Sequence, residues 1–268
     1  MAEKKIIDVW SDDEVCVFAA FALNYDNSVK EMLAGSESAF NIVRRLMLDK
    51  HSNSLIRERV NAKLEDYDHS CKMHDYDAFN KFRLKDVEIK NEQHSTLDPR
   101  RNQIVGGAAF SSIEDIAGIN RLIYDNPEIC LSGWYDGRIA YTTTFDFNDT
   151  LISTRLISAI ESRRAGKKTA PKFLWSDWAD ADSLRLTYIN QEIFSKLKGI
   201  VSAPLLERIE SAKSRLTPEN ISLQDPCSDL SSKNYPSLQN TNLCTEYNDR
   251  TGILTLQERQ PTCLSEIS

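Results

Sequence analysis

The sequence predicts an α+β protein, with helical N-terminal and C-terminal segments around a small, mainly antiparallel sheet and a disordered polar tail after them. Three observations predict it. The first seventy residues space their apolar side chains three and four apart, as helices do. The middle of the chain alternates with period two and contains an Asp-Gly pair between two β-rich runs. After Leu216 the apolar order stops, and the sequence becomes rich in Ser, Asn, Gln and Thr, with Pro218, Pro226, Pro236 and Pro261.

Helix starts come first along the chain. Ser11-Asp12-Asp13-Glu14 reads as a capping box ahead of the apolar run Val15 to Leu23. Ser28-Val29-Lys30-Glu31 repeats the pattern, and Gly35 is placed to end that helix. Phe40, Val43, Leu46 and Met47 define one face of a third helix. Ile56, Val60, Leu64 and Tyr67 define a fourth.

The period then changes. Lys85, Val87 and Ile89 alternate against Leu84, Asp86, Glu88 and Lys90 in a strand, and a polar connection is expected over residues 91–102. Residues 104–110 read as a second strand, and Ser111-Ser112-Ile113-Glu114 as the capping box of the next helix. A hairpin at 129–147 turns at Asp136-Gly137, because a two-residue type I′ turn needs positive φ at both central residues. Asn148 or Asp149 then caps a helix bearing Leu151, Ile152, Leu156 and Ile160. Leu186, Ile189, Ile193, Leu197 and Ile200 read as one long helical stripe, and Pro204 opens the last helix through Leu205 and Ile209. Trp175 and Trp178, close together beyond Pro171, read as core aromatics or as a stacking surface.

Two regions follow from this: a single globular domain over 1–216, and a polar tail over 217–268. The net charge of −7 disfavours a protein coated in nucleic acid, although local basic patches remain. No apolar run reaches the roughly 20 residues that span a bilayer, so no membrane partner is expected. The N-terminus lacks the pattern of a secretory signal, and the six cysteines read as reduced thiols, which points to an intracellular protein, cytoplasmic or nuclear.

Three groupings could carry chemistry. The strand segment Glu88-Ile89-Lys90 resembles the carboxylate-x-Lys element of metal-dependent nucleases of the PD-(D/E)xK type. The resemblance implies a carboxylate that binds Mg²⁺, a Lys that orients or activates water, and a second carboxylate from upstream, for which Asp75 and Asp77 are available. The chain lacks that family's Pro-Asp pair. Alternation alone also produces a half-buried strand with a charged outer face. His69, Cys71 and His74 place three zinc-type donors within six residues, with no second ligand pair at similar spacing. The cluster Arg163, Arg164, Lys167 and Lys168 sits where a helix should end, a position that favours cations. It also suits a phosphate, nucleic-acid or acidic-partner contact, with Arg100, Arg101, Arg44 and Arg45 as further members.

No Walker-type loop, G-x-S-x-G elbow or H-E-x-x-H pair is present. Sparse catalytic residues and an acidic balance predict a non-enzymatic binding or regulatory protein without a cofactor. It would act through protein–protein contacts, with nucleic-acid contact through the basic clusters. A strand-forming stretch such as residues 251–256 of the tail would add to a partner's sheet. The alternative is a Mg²⁺-dependent nuclease built on Asp77, Glu88 and Lys90.

Overall fold

The computed structural model describes residues 10–48, 53–70, 76–94, 106–110, 113–162, 170–197, 203–213, 243–248 and 253–258. Four helices come first: α1 (Asp12–Ala22), α2 (Asp26–Met32), α3 (Glu37–Leu48) and α4 (Asn53–Leu64). The capping box of α1 forms as its residues dictate. Ser11 Oγ accepts the Glu14 N–H at 3.3 Å, and the Glu14 carboxylate accepts the Ser11 N–H at 2.7 Å. The second box does not form, because α2 starts at Asp26 and Ser28 lies inside it. Asn24, at φ +70°, turns the chain into α2 three residues earlier than a Ser28 cap would allow. Gly35, at φ +76°, donates its N–H to the Lys30 carbonyl at 2.7 Å and closes the end of that helix.

Six strands form one sheet in sequence order: β1 (Asp68–His69), β2 (Ala78–Asn80), β3 (Lys85–His94), β4 (Glu128–Tyr135), β5 (Arg138–Asp146) and β6 (Arg185–Ile189). All neighbours are antiparallel except β3 and β4, which run parallel. A parallel pair needs a crossover, and α5 (Ile116–Asp125) lies in it. The hairpin between β4 and β5 turns at Asp136 and Gly137, at φ +46° and +76°.

Further sequence expectations differ from the fold. β3 continues through Asn91 to His94 instead of ending at Lys90, because α4 supplies polar partners underneath. Asn61 donates to Asn91 Oδ1 at 2.5 Å, and Arg57 to Gln93. Residues 106–110 make only one isolated bridge, Ala109 with Lys172, rather than a strand. Asp115, not Ser111, caps α5, accepting the Gly118 N–H at 2.9 Å. The stripe from Leu186 is split: Leu186 and Ile189 belong to β6, where Thr187 and Tyr188 favour extended backbone. The helix α7 (Gln191–Lys196) begins only after Asn190 caps it.

Helices cover both faces of the sheet. On one, Phe18, Phe21, Met47, Ile56 and Val60 pack against Trp134 and Ile139. On the other, α5, α6 (Ile152–Glu161), α7 and α8 (Ala203–Lys213) bury Ile119, Leu122, Leu156, Phe194, Leu205 and Ile209 against Ile129, Leu131 and Phe145. The α6 start falls at Ile152, since Asn148 and Asp149 are spent in a 3₁₀ turn. Trp178 is core: its ring stacks on Phe145 at 5.2 Å and its Nε1 donates to the Gly106 carbonyl at 2.6 Å. In the tail, β7 (Leu243–Asn248) and β8 (Ile253–Glu258) pair with each other in a separate two-stranded sheet. Among the described residues, no helix is long and apolar enough to cross a membrane.

Candidate functional site

The length of β2 creates the site. That strand pairs with β3 only from Ala78, opposite Val87, to Asn80, opposite Lys85. The same register sets Asp77, one residue outside β2, opposite Glu88. There the Ile89 N–H donates to Asp77 Oδ2 at 2.7 Å, so a carboxylate takes the place of a backbone carbonyl. Period two then sorts the side chains of β3. Val87 and Ile89 are buried against Ala62 of α4 and Cys130 of β4. Glu88 and Lys90 share the opposite face, where Lys90 Nζ pairs with Glu88 Oε1 and lies 5.1 Å from the centre of the Phe110 ring. Asp77, Glu88 and Lys90, separated in the sequence by up to thirteen positions, therefore meet at one point.

The charges at this point are unbalanced. Burial, followed by the neighbouring Glu88 carboxylate, pushes the Asp77 carboxyl up to about 7, while Lys90 and the Ile89 N–H pull it back. Burial opposes the charge on Lys90, yet Glu88 and Asp77 hold its pKa above the ordinary lysine value. Glu58 of α4 adds a third negative field on both groups. One ammonium thus stands with two carboxyl groups, Asp77 and Glu88, an arrangement that attracts a further cation.

Oxygen donors of this kind suit Mg²⁺ or Mn²⁺ rather than zinc. Among the described residues, no cluster of three or more His, Cys, Asp or Glu side chains is placed to hold a metal by itself. Mg²⁺ does not require one, because it binds through one or two carboxylates and completes its shell with water and phosphate oxygens.

The zinc grouping fares differently. His69 lies on β1, while Cys71 and His74 are outside the described residues. Arg100, Arg101, Arg163, Arg164, Lys167 and Lys168 are also outside them, as is Asp75.

Several supporting residues were not singled out in the sequence. Tyr76, just before Asp77, donates its hydroxyl to Asp125 at the end of α5 at 2.7 Å, and Arg121 lies over the Tyr76 ring while reaching the same carboxylate at 3.3 Å. Glu92, next on the face of Glu88 and Lys90, accepts the N–H groups of Gly106 and Gly107 at 2.7 and 3.3 Å. Gly107 is obligatory there, since a Cβ would stand 2.0 Å from the Phe173 carbonyl oxygen. Glu58 carries a weak sequence signal: it sits between Ile56 and Val60, at the border of the apolar stripe of α4.

A second polar cluster lies on the α4 side of the sheet. Glu128 is fully buried and accepts from Tyr67 at 2.5 Å, Arg185 at 2.6 Å, Asn80 at 3.1 Å, and Arg83. Arg83 also grips Asp146 with two bonds, at 2.7 and 3.1 Å, and Lys85 reaches Asp146 at 2.8 Å. Burial works against the Glu128 charge, but these donors hold its carboxyl below the usual glutamate range. Every group is matched, so this cluster reads as a clamp joining β2, β3, β4, β5 and β6. No protein-family model matches the chain, and no match to it was found among curated proteins.

Proposed function

We propose that this protein hydrolyses phosphodiester bonds of a nucleic acid with a divalent metal ion, using Asp77 and Glu88 as metal-binding carboxylates and Lys90 as the adjacent cation. One observation carries the reading: a carboxylate at the end of β2 meets a Glu-x-Lys on β3, with Asp77 held near neutrality by burial and by Glu88. This is the juxtaposition implied by the resemblance to PD-(D/E)xK nucleases. The departure from that family is local, for Tyr76 stands in place of the proline and is tied to α5 through Asp125.

Each residue has a distinct task. The Ile89 N–H fixes one oxygen of Asp77 and so aims the carboxylate at Glu88. Asp77 and Glu88 are the residues that would hold a divalent cation, whose chemistry there would be Lewis-acid polarisation of a phosphoryl oxygen and acidification of water. Lys90 supplies a half-buried positive charge where negative charge builds on the phosphorus oxygens. Its high pKa depends on Glu88 and Asp77. Once those carboxylates are neutralised, burial weighs more heavily on Lys90, and its proton becomes easier to transfer.

The test is incubation of the full chain with duplex DNA, single-stranded DNA and RNA, with Mg²⁺, with Mn²⁺, or with chelator. Cleavage that needs the metal, and that falls about 100-fold or more in Glu88→Gln and Lys90→Met while the far-UV spectrum stays unchanged, supports the reading. Metal-independent cleavage, or full activity in both variants, contradicts it. With no cleavage of any substrate, the non-enzymatic binding protein expected from composition becomes the better description, acting on a protein partner through the basic clusters and tail.

A further inference from the structure

A cleft of about 360 Å³ opens where β4 turns into β5, bounded by α1, α3 and α7 and sharing no residue with the carboxylate site. Its volume falls within the range of small-ligand pockets. Three cations face it: Arg44 from α3, Arg138 from the start of β5 and Lys196 from the end of α7. Arg138 is rigidly held. Its guanidinium lies 3.5 Å from the centre of the Phe21 ring, donates to the Phe21 carbonyl and meets Asp26 at 2.7 Å. Lys196 leans on Glu192 at 3.0 Å. Arg44 has no carboxylate partner among the described residues, and its charge is close enough to Arg138 to oppose it.

Asp26 offsets the Arg138 charge, but Arg44 still opposes it, and an anion bound between the two guanidinium groups would relieve that repulsion. Asp26 and Asp136 also line the cleft, and Glu192 pairs with Lys196, so Arg44 is the cation left without a carboxylate partner among the described residues. We propose that this cleft binds a small phosphoryl-bearing anion, free or as the end of a nucleotide, held by Arg44 and Arg138 with Lys196 as the third cation. Guanidinium groups present paired N–H donors that match phosphate oxygens, and three cations suit a dianion better than a single carboxylate. Phe40 and Tyr135 form apolar wall beside the cations, room for the organic part of such a ligand.

Calorimetric titration of the full chain in chelator, with pyrophosphate, inorganic phosphate and ADP as probes, tests this without involving a metal at the carboxylates. Saturable one-to-one binding of pyrophosphate or ADP is expected, weakened at least tenfold by Arg44→Ala and abolished by Arg44→Glu. Arg44 is exposed, so those variants should keep the melting temperature of the unliganded protein. Arg138→Lys keeps the charge but loses the paired donors, and should weaken binding severalfold. Equal affinity for pyrophosphate and ADP identifies the phosphoryl group alone as the ligand; preference for ADP assigns the wall to a nucleotide. No saturable binding by any probe, or binding that Arg44→Glu leaves intact, overturns the proposal.

Discussion

The Tyr76 hydroxyl donates to the Asp125 carboxylate at 2.7 Å, and this one bond ties the residue before Asp77 to the last turn of the crossover helix α5. β2 is only three residues long and cannot by itself hold Asp77 in place. Tyr76→Phe removes the bond and keeps the ring against Arg121. The Mg²⁺ concentration for half-maximal cleavage is expected to rise about tenfold in this variant, with a stability loss of only about 1 kcal/mol. An unchanged metal requirement would show that Tyr76 merely packs.

The Glu128 clamp makes a stability prediction. Glu128→Ala leaves Arg83 and Arg185 beside a void and without their shared carboxylate, and should cost about 3–5 kcal/mol in urea unfolding. A loss under about 1 kcal/mol would mean the network is weakly engaged.

Glu65 predicts a pH dependence. Burial lifts its carboxyl to about 7, only partly offset by the Thr187 hydroxyl donating at 2.6 Å. The folded state therefore keeps a proton that the unfolded chain releases at the ordinary value of 4.5. Stability from this group is full below the unfolded pKa and is lost as pH rises through the folded one. Glu65→Gln retains an oxygen for Thr187 and does not titrate. The wild type should lose on the order of 2–3 kcal/mol relative to that variant between roughly pH 5 and pH 8. A difference independent of pH would contradict the burial of this carboxyl.

A chain ending at Arg215 should fold. Leu205 and Ile209 of α8 belong to the core beside the six-stranded sheet, and β7 pairs with β8 in a separate sheet. Its melting temperature should lie within about 2 °C of the full chain, a shift corresponding to less than about 1 kcal/mol at this size. A molten or insoluble product would refute the division of the sequence near Leu216.

Much of this fold was legible in local patterns. The Ser11 cap, the presence of four N-terminal helices (though not the Ser28 start of the second) and the Asp136-Gly137 turn each depend on neighbouring residues and formed as expected. β6 was hidden because Leu186, Ile189 and Ile193 fit a helical stripe, and only pairing of Leu186 with Thr143 on β5 decides for a strand. β3 was read too short because Asn91 and Gln93 look like loop residues until Asn61 and Arg57 are set beneath them. At the site, Glu88 and Lys90 share a face by period two alone. That Asp77 joins them, while Glu58 and Tyr76 flank them, depends on strand register and on the packing of α4 and α5. A single sequence contains neither.

The most direct measurement is an anomalous-difference map from crystals of the full chain soaked in Mn²⁺. A peak between the carboxylate oxygens of Asp77 and Glu88, absent in Glu88→Gln, is the predicted result. No peak there, or an equal peak in the variant, would contradict the assignment of these two carboxylates as a metal site.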